Sequence, residues 1–334
     1  MGVRTGTSRS AALAVATLWG ALAALAGPVV LAGPLTAPAA AEVAAEVPAA
    51  TSGAELPARR TQAQGAEPSF SPALRRIRVV DHNIEKRSAA MSRALTAARK
   101  TGAEVILLQE VCWWQADQLR RRHPTWTVAY KPERERDKCM RGSSRDSGLL
   151  GVRRQVGNVA IWTGGSVGLP TTHTFTTQRV KSDRTGLACV SWTTIVRHRA
   201  CSVHLISPTG RRELIVRTKQ AREVRRITGP WVGKQDLVVL GGDFNAEPQR
   251  ATMNHLYRFD GVGRFREATK QRLGGPDCRC RQVTGDGRRA KVDYIFFSAN
   301  RTTARGFRSL RVVKTSSDHH LLIGWADMDV TERS

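Results

Sequence analysis

Hydrophobic and polar positions follow two different periods along the chain from about residue 76 onward. Apolar positions spaced three or four apart predict helices at residues 88–100 and 211–228. In the second helix, Ala221 is expected to face the core and Arg217 the solvent. Short apolar runs predict strands at residues 77–83, 104–111, 125–130, 159–162, 187–195, 200–206, 236–240, 291–298, 309–313 and 321–325.

Many strands with a few helices between them predict the fold class. The pattern favours an α/β (α+β) fold, in which two mainly antiparallel sheets pack together and helices flank them. Residues 131–157 are polar over a long stretch and are therefore predicted to form an exposed loop.

Composition divides the chain into three segments. Residues 1–41 combine a basic start, an apolar stretch and a run of small residues, which is typical of a cleaved Sec-type signal peptide. An uncleaved membrane anchor is the alternative, although Gly27 and Pro28 interrupt the apolar stretch. Residues 42–73, rich in Ala, Pro and Glu, are expected to form a flexible linker, and residues 74–330 one large domain. A secreted protein is therefore predicted.

The cysteine count changes the picture of the domain. Six cysteines in an exported chain indicate disulfides, although the sequence alone does not fix the pairing. Half of a metal site is the alternative for Cys278 and Cys280, but no second ligand pair lies near them in the sequence. The expected pairs are Cys112–Cys139, Cys189–Cys201 and Cys278–Cys280.

The charge balance indicates anionic partners. Lys and Arg total 53 against 28 Asp and Glu, so the formal net charge is +25. Such a surface attracts nucleic acid, anionic lipid headgroups or phosphorylated small molecules. The alternative is that many of these arginines only solvate exposed faces.

Polar residues of a few types stand at the ends of the predicted strands. Each one alone would be a turn residue or a packing residue, but a layered fold can gather them in one cleft. The residues are Asn83, Glu110, His204, Asp243, Asn245, Asp293, Asp318 and His319.

Phosphodiester hydrolysis is the chemistry that suits this set. Oxygen ligands such as Asn83, Glu110 and Asp318 suit Mg²⁺, with Mn²⁺ or Ca²⁺ as alternatives. Such an ion neutralises phosphate charge, and a histidine paired with a carboxylate can deprotonate a water. A serine nucleophile is not required.

Seven short motifs resemble, in order, those of the endonuclease/exonuclease/phosphatase superfamily, which includes deoxyribonuclease I. The resemblance extends over residues 76–328. The motifs are Asp81-His82-Asn83-Ile84, Leu108-Gln109-Glu110-Val111, Gly157-Asn158-Val159-Ala160-Ile161, Ser202-Val203-His204-Leu205, Gly242-Asp243-Phe244-Asn245-Ala246, Val292-Asp293-Tyr294-Ile295 and Ser317-Asp318-His319.

The resemblance implies a four-layered sandwich with the active site at one end of the two sheets. It implies that Asn83 and Glu110 bind the metal, with Asp318 nearby. Candidate contacts to substrate phosphate are Arg184, Asn158, Tyr130 and Arg154.

The resemblance also implies catalytic roles. Asp243 and Asn245 would orient the attacking water and hold the scissile phosphate. His319, oriented by Asp293, would polarise that water or stabilise the transition state. His204 would donate a hydrogen bond to the phosphate or act as general acid.

Three functions remain open on the sequence. A secreted nuclease is favoured by arginine-rich patches at residues 120–122, 222–226 and 288–291, which suit contacts to backbone phosphates without base readout. A sphingomyelinase-like lipid phosphodiesterase would need an exposed aromatic loop, for which Trp113 and Trp114 are candidates. A non-catalytic basic binding protein would not need to retain all the polar residues named above. The favoured partner is nucleic acid, bound by a monomer without stable membrane insertion.

Overall fold

The computed structural model describes residues 73–139, 154–165, 167–207, 210–269, 279, 282–285, 290–302 and 308–332. The expected signal peptide and the linker as far as residue 72 lie outside the described residues. The expected Cys278–Cys280 pair and residues 288 and 289 of the third arginine patch also lie outside them. Among the described residues, no helix has both the length and the apolar character needed to cross a membrane.

Twelve strands and three longer helices form the described part of the chain. The helices are α1 (Ser88–Thr101), α2 (Trp113–Arg122) and α3 (Arg211–Gly233). The strands are β1 (Leu74–Asn83), β2 (Val105–Cys112), β3 (Thr127–Glu135), β4 (Gln155–Trp162), β5 (Leu169–Thr174), β6 (Gly186–Thr193), β7 (Arg197–His204), β8 (Leu237–Asp243), β9 (Phe265–Glu267), β10 (Asp293–Ser298), β11 (Arg308–Val313) and β12 (Leu321–Asp329).

The strands form two sheets of six. One sheet has the order β11-β12-β1-β2-β4-β3, and the other has the order β5-β6-β7-β8-β10-β9. Only the central pairs β1–β2 and β7–β8 are parallel among these strands, and the other neighbours are antiparallel. The prediction of two mainly antiparallel sheets is confirmed.

Three hydrophobic clusters arrange the elements in four layers. Between the sheets, buried side chains of both pack together, and the Trp162 and Trp192 rings stack with centroids 5.0 Å apart. On the outer face of one sheet, Met91 of α1 and Leu119 of α2 are buried. On the outer face of the other, Val224 of α3 is buried. Because each sheet face needs an apolar partner, the order helix, sheet, sheet, helix follows.

The predicted exposed loop at residues 131–157 was wrong at both ends. β3 continues to Glu135 and β4 begins at Gln155. Lys131 and Glu133 are buried in this ladder, and the register shifts between Pro132 and Arg134. Buried charged residues beside a proline look like a loop in the sequence because their partners are distant in the chain.

Two further differences concern a buried arginine and two unpredicted strands. Arg217 was expected in solvent, but it is buried, and its Nε donates a hydrogen bond to the Ile206 carbonyl at 2.8 Å. Strands β5 and β9 were not predicted. β5 is an almost wholly exposed edge strand without an apolar face, and β9 is only three residues long.

Two of the expected disulfides are confirmed. Cys189 and Cys201 lie opposite each other on β6 and β7, with Cα atoms 4.1 Å apart. Cys112 and Cys139 have Cα atoms 5.3 Å apart and join the start of α2 to the segment that follows β3. Trp114 packs, partly buried, against this second disulfide.

The stability of the fold is expected to depend on pH through His198, which is not one of the polar residues at the strand ends. It is buried beside Trp192, with ring centroids 5.0 Å apart, and its Nε2 lies 2.8 Å from Thr194 Oγ1. Burial, and then Arg75 and Arg301, lower the pKa of His198 from 6.5 to about 4. Above pH 6.5 the ring is neutral in both the folded and the unfolded chain, so its contribution to stability is fully present. It is lost as the pH falls from 6.5 through 4, because the unfolded chain binds the proton first.

We therefore expect His198→Gln to reduce the acid sensitivity of unfolding. The free energy of unfolding of the wild type, relative to that of the variant, should fall by about 2–3 kcal/mol between pH 7 and pH 4.5. Urea denaturation at the two pH values measures this difference. A difference that stays constant across them would show that His198 does not titrate in this way.

Candidate active site

Strand ends from both sheets meet at one edge of the molecule. In parallel pairs the carboxyl ends lie together, which places Asn83 beside the end of β2 and His204 beside Asp243. The antiparallel partner of β8 begins at the same edge, where Asp293 pairs with Asp243. His204, Asp243 and Asp293 are therefore neighbours across three adjacent strands.

Gly242 lets β8 approach β7 closely at this edge. Its φ is +147°, and an added Cβ would clash with the backbone carbonyl of Val203. Only glycine adopts such a conformation without a steric cost. The close approach of the two strands at Gly242 thus places Asp243 beside His204.

The Asp243 carboxylate is the centre of the cluster. Its Oδ2 lies 3.2 Å from Asn83 Nδ2, 3.5 Å from His204 Nε2 and 3.5 Å from His319 Nε2. Its Oδ1 accepts a hydrogen bond from the backbone N–H of Asn245 at 2.8 Å. Asn245 in turn donates from Nδ2 to the Leu205 carbonyl at 3.0 Å. Asp243 thereby joins residues of both sheets.

Burial raises the pKa of Asp243 to about 6, with the His319 charge opposing the rise and the Asp293 carboxylate adding to it. The carboxylate is therefore mostly ionised at neutral pH, although it lies in a nearly dry position. A carboxylate with a raised pKa is a stronger base than one in water.

His319 is held in its charged form. Its Nδ1 lies 3.0 and 2.9 Å from the two Asp293 carboxylate oxygens. Burial alone would lower the pKa of His319, but the Asp293 and Asp243 carboxylates outweigh it and raise the pKa to about 10. An imidazolium donates from both ring nitrogens and cannot accept a proton.

His204 differs from His319 in its charge, because it is held in the neutral form. Burial, followed by the Arg134 charge, lowers the pKa of His204 well below 6.5. Its Nδ1 lies 3.9 Å from Glu133 Oε2, and its side chain is almost fully buried. The two histidines face the same Asp243 oxygen, one charged and one neutral, which separates their possible roles.

The residues predicted to bind metal are only partly brought together. Asn83 contacts Asp243, and its Oδ1 accepts the backbone N–H of Glu85 at 3.1 Å. Asp318 is largely exposed, with Oδ1 3.9 Å from His319 Nε2. Glu110, at a bulge in β2, forms an ion pair with Lys86.

The described residues contain one group of three acidic or histidine ligand atoms within 4.8 Å of one another, from Asp243, Asp293 and His319. In this group His319 Nδ1 is bound to Asp293, which fits a proton-donating network.

The candidate phosphate contacts lie in different places. Asn158 is buried and donates to Glu133 Oε1 at 2.9 Å, while its Oδ1 has no hydrogen-bond partner among the described residues. Arg184 is exposed, and its backbone N–H donates to the Glu133 carbonyl. The Tyr130 hydroxyl donates to the Gln155 carbonyl at 3.1 Å. Arg154 lies at the start of β4, where its carbonyl accepts the Arg136 N–H.

Sequence reasoning missed a buried polar network behind the cluster. Gln109 Nε2 donates to Asp81 Oδ1 and to Ser202 Oγ, both at 2.9 Å, and so joins the two sheets. Burial, and then the Asp293 carboxylate, raise the pKa of Asp81 well above its usual value. The signal was present, since Asp81 lies two residues before Asn83 and therefore on the same face of β1.

Glu133 was missed because it lies in the segment predicted as a loop. Burial raises its pKa to about 8, although Arg134 and Lys131 oppose the rise. Its position next to His204 and Asn158 makes it part of the wall of the cluster.

The chain matches the model of the Endonuclease/Exonuclease/phosphatase family over residues 80–319. It belongs to this family. The match includes every polar strand-end residue of the cluster, from Asn83 to His319, which confirms the resemblance found in the sequence. Members of the Endonuclease/Exonuclease/phosphatase family are phosphoesterase hydrolases, including nucleases and phosphodiesterases.

Solved structures show the same fold. The endonuclease/exonuclease/phosphatase from Beutenbergia cavernae is 17% identical with a TM-score of 0.54, over 76% of this chain and 72% of that one. The human Nocturnin catalytic domain is 16% identical with a TM-score of 0.52, over 77% and 96%. Truncated TDP2 from Caenorhabditis elegans is 12% identical with a TM-score of 0.51, over 75% and 98%. A comparison with curated proteins gives no significant match.

Enzymes of this family usually depend on a divalent metal, and the donor atoms of the predicted ligands suit one. The Glu110 carboxylate already binds a cation, the Lys86 ammonium, at a partly buried position. Carboxylate and amide oxygens, as supplied by Glu110, Asp318 and Asn83, are the donors that such an ion prefers.

Proposed function

We propose that the protein is a secreted, divalent-metal-dependent phosphodiesterase that hydrolyses nucleic acid, DNA or RNA, by direct attack of water. The observation that carries this proposal is the convergence of Asn83, His204 and His319 on one oxygen of Asp243. This arrangement combines a base, a fixed positive charge and neutral hydrogen-bond donors at a single point, as phosphate hydrolysis requires.

We assign to Asp243 the role of orienting the attacking water and accepting its proton. Its carboxylate is oriented by the backbone N–H of Asn245 and by Asn83 Nδ2, so a water at Oδ2 would meet a fixed acceptor. The carboxylate then accepts the proton as the water oxygen attacks phosphorus, the bond from phosphorus to the leaving oxygen breaks, and the leaving alkoxide takes a proton from solvent. Asn245 acts here mainly by holding Asp243.

His319 supplies positive charge to the transition state. Asp293 binds Nδ1, which leaves the Nε2 side directed toward Asp243 and a bound phosphate. Negative charge grows on the phosphoryl oxygens during attack, and a fixed imidazolium stabilises it without reorganisation. Among the two roles that the sequence left open, the charged state supports stabilisation of the transition state.

His204 is better suited to binding than to proton donation. Its low pKa makes the imidazolium unavailable at neutral pH. A neutral ring can still donate one hydrogen bond to a phosphate oxygen. Glu133 Oε2 lies 3.9 Å from its other nitrogen and forms part of the wall around the ring.

Glu110, Asn83 and Asp318 would hold the divalent ion, for which Mg²⁺ is the proposed species and Mn²⁺ or Ca²⁺ are the alternatives. When bound there, the ion would neutralise the charge of the phosphate and of the leaving oxygen.

Charge supports nucleic acid as the substrate. Two of the arginine patches are described, at residues 120–122 on α2 and 222–226 on α3, and Arg134 lies close enough to His204 to lower its pKa. By contrast, Trp114, one residue of the aromatic pair at the start of α2, packs against a disulfide. The two disulfides support an extracellular location.

The test is a comparison of substrates at equal phosphate concentration with Mg²⁺. We expect DNA or RNA to be hydrolysed much faster than sphingomyelin vesicles. The rate should fall steeply between about 50 and about 200 mM salt, because phosphate contacts release counterions. Asp243→Asn is the matched control for contaminating nuclease. Faster hydrolysis of sphingomyelin than of either nucleic acid would contradict the proposed substrate.

A further inference from the structure

The turn after β1 is bonded to the end of β2. The backbone N–H of Ile84 donates to the Gln109 carbonyl, and that of Lys86 donates to the Glu110 carbonyl, both at 3.0 Å. From α2, Gln115 Nε2 donates to the Lys86 carbonyl at 3.2 Å. Lys86 is therefore fixed beside Glu110 by its main chain, independently of its side chain.

The backbone at this point is unusual. Glu85, Lys86 and Glu110 have φ values of 49°, 65° and 53°, in the left-handed region. Only three other non-glycine residues of the described chain share this conformation. Residues other than glycine, asparagine and aspartate seldom adopt this conformation, and such strain is concentrated at functional sites.

The strained backbone directs one side chain at the other. The Lys86 ammonium pairs with Glu110 Oε2, and the two side chains are only 14% and 18% exposed. Glu85 is the acidic neighbour of Lys86, while Arg134, Arg136 and Lys138 surround it with positive charge. In this surrounding, Glu110 is the carboxylate that holds the ammonium in place.

We propose that Lys86 is an internal competitor of the divalent ion, its ammonium occupying the Glu110 carboxylate until the metal displaces it. The inference rests on the proposed assignment of Glu110 as a metal ligand. An ammonium and a divalent cation on the same carboxylate oxygen repel each other, so each weakens the binding of the other. In the metal-free protein the ammonium prevents Glu110 from being a partly buried, unpaired charge.

A consequence is that Lys86 weakens metal binding. The ammonium must leave Glu110 before the ion can use that oxygen, while the bonded main chain of the turn stays in place. A positioning role would have the opposite effect, since removing a residue that orients a ligand lowers metal affinity. The sign of the change in affinity therefore separates the two roles.

Isothermal titration calorimetry of the full chain with MgCl₂, and separately with MnCl₂, measures whether a substitution of Lys86 raises or lowers metal affinity. Lys86→Met keeps most of the length of the side chain and removes the charge, and Lys86→Gln is a second variant in case the first does not fold. We expect metal to bind about 10- to 100-fold more tightly to these variants than to the wild type, because the repulsion by the ammonium is removed. Lys138→Met, which removes a nearby charge that does not pair with Glu110, should change the affinity by less than about threefold. Unchanged or weaker binding to the Lys86 variants would overturn the proposal.

The same titration in a Glu110→Gln background tests whether the competition is direct. In that background, Lys86→Met should leave metal affinity nearly unchanged, because the contested carboxylate is gone. An equal tightening in both backgrounds would overturn direct competition. If the folded wild type and all variants bind neither ion, the proposed metal dependence fails together with this inference. If the wild type binds metal and the Lys86 variants bind it no more tightly, only the inference fails.

Discussion

Replacing His319 by asparagine is expected to lower kcat for phosphodiester hydrolysis by about 10²- to 10⁴-fold. Asparagine can still donate a hydrogen bond, but it carries no charge and cannot form the ion pair with Asp293. KM should change much less than kcat, because the lost interaction is strongest in the transition state. Steady-state kinetics with bis(4-nitrophenyl) phosphate measures both constants without any contribution from polymer binding.

His320→Ala is the matched control, since it removes the adjacent imidazole, for which the proposed reaction has no role. We expect its kcat to stay within about threefold of the wild type. A His319→Asn variant with a kcat as high as that of His320→Ala would remove His319 from the mechanism. Circular dichroism of both variants establishes that the fold is retained.

Replacing Glu267 by glutamine is expected to lower the free energy of unfolding by about 3–5 kcal/mol. Glu267 of β9 forms an ion pair with Lys291, and the two side chains are 0% and 1% exposed. The Tyr257 hydroxyl donates to the other carboxylate oxygen. The neutral amide leaves the Lys291 ammonium buried without a countercharge, although the Tyr294 ring, 5.0 Å away, remains beside it.

Urea denaturation of the single variant and of Glu267→Gln/Lys291→Met measures this effect. The double variant should recover most of the lost stability, because it removes the unpaired charge as well. A single variant as stable as the wild type would show that the pair does not hold β9 against the segment leading to Asp293. A double variant no more stable than the single one would assign the loss to packing.

The sequence predicted the central strands well because their environment is uniform. β2 and β8 are buried on both faces, so their apolar runs are continuous and unambiguous. The failures concern side chains whose burial depends on distant partners. Lys131 and Glu133 are buried by strands that follow them in the chain, and Arg217 by the Ile206 carbonyl. A local pattern contains no information about such partners.

The same distinction holds for the active site. Asn83, His204, Asp243 and His319 were predicted because each stands at the end of a readable strand or beside one, and the fold then brings them together. The charge states of the two histidines could not be predicted, since they follow from burial and from the Asp293 contact.

The Lys86–Glu110 pair was beyond sequence reasoning for a different reason. Neither residue type favours the left-handed region, so the sequence of the turn gives no signal of its conformation. Glu110 was predicted as a metal ligand from its motif, but the cation that it binds in the described structure belongs to the chain itself.

We propose that this site hydrolyses the backbone of nucleic acid with the help of a divalent metal. The most direct measurement is cleavage of supercoiled plasmid DNA and of single-stranded RNA by the purified protein, first with Mg²⁺ and then with excess EDTA, beside His319→Ala. We expect cleavage of at least one of the two polymers with Mg²⁺, and loss of that cleavage both with EDTA and in the variant. Cleavage that persists in EDTA or in His319→Ala, or a folded wild type that cleaves neither polymer, would contradict it.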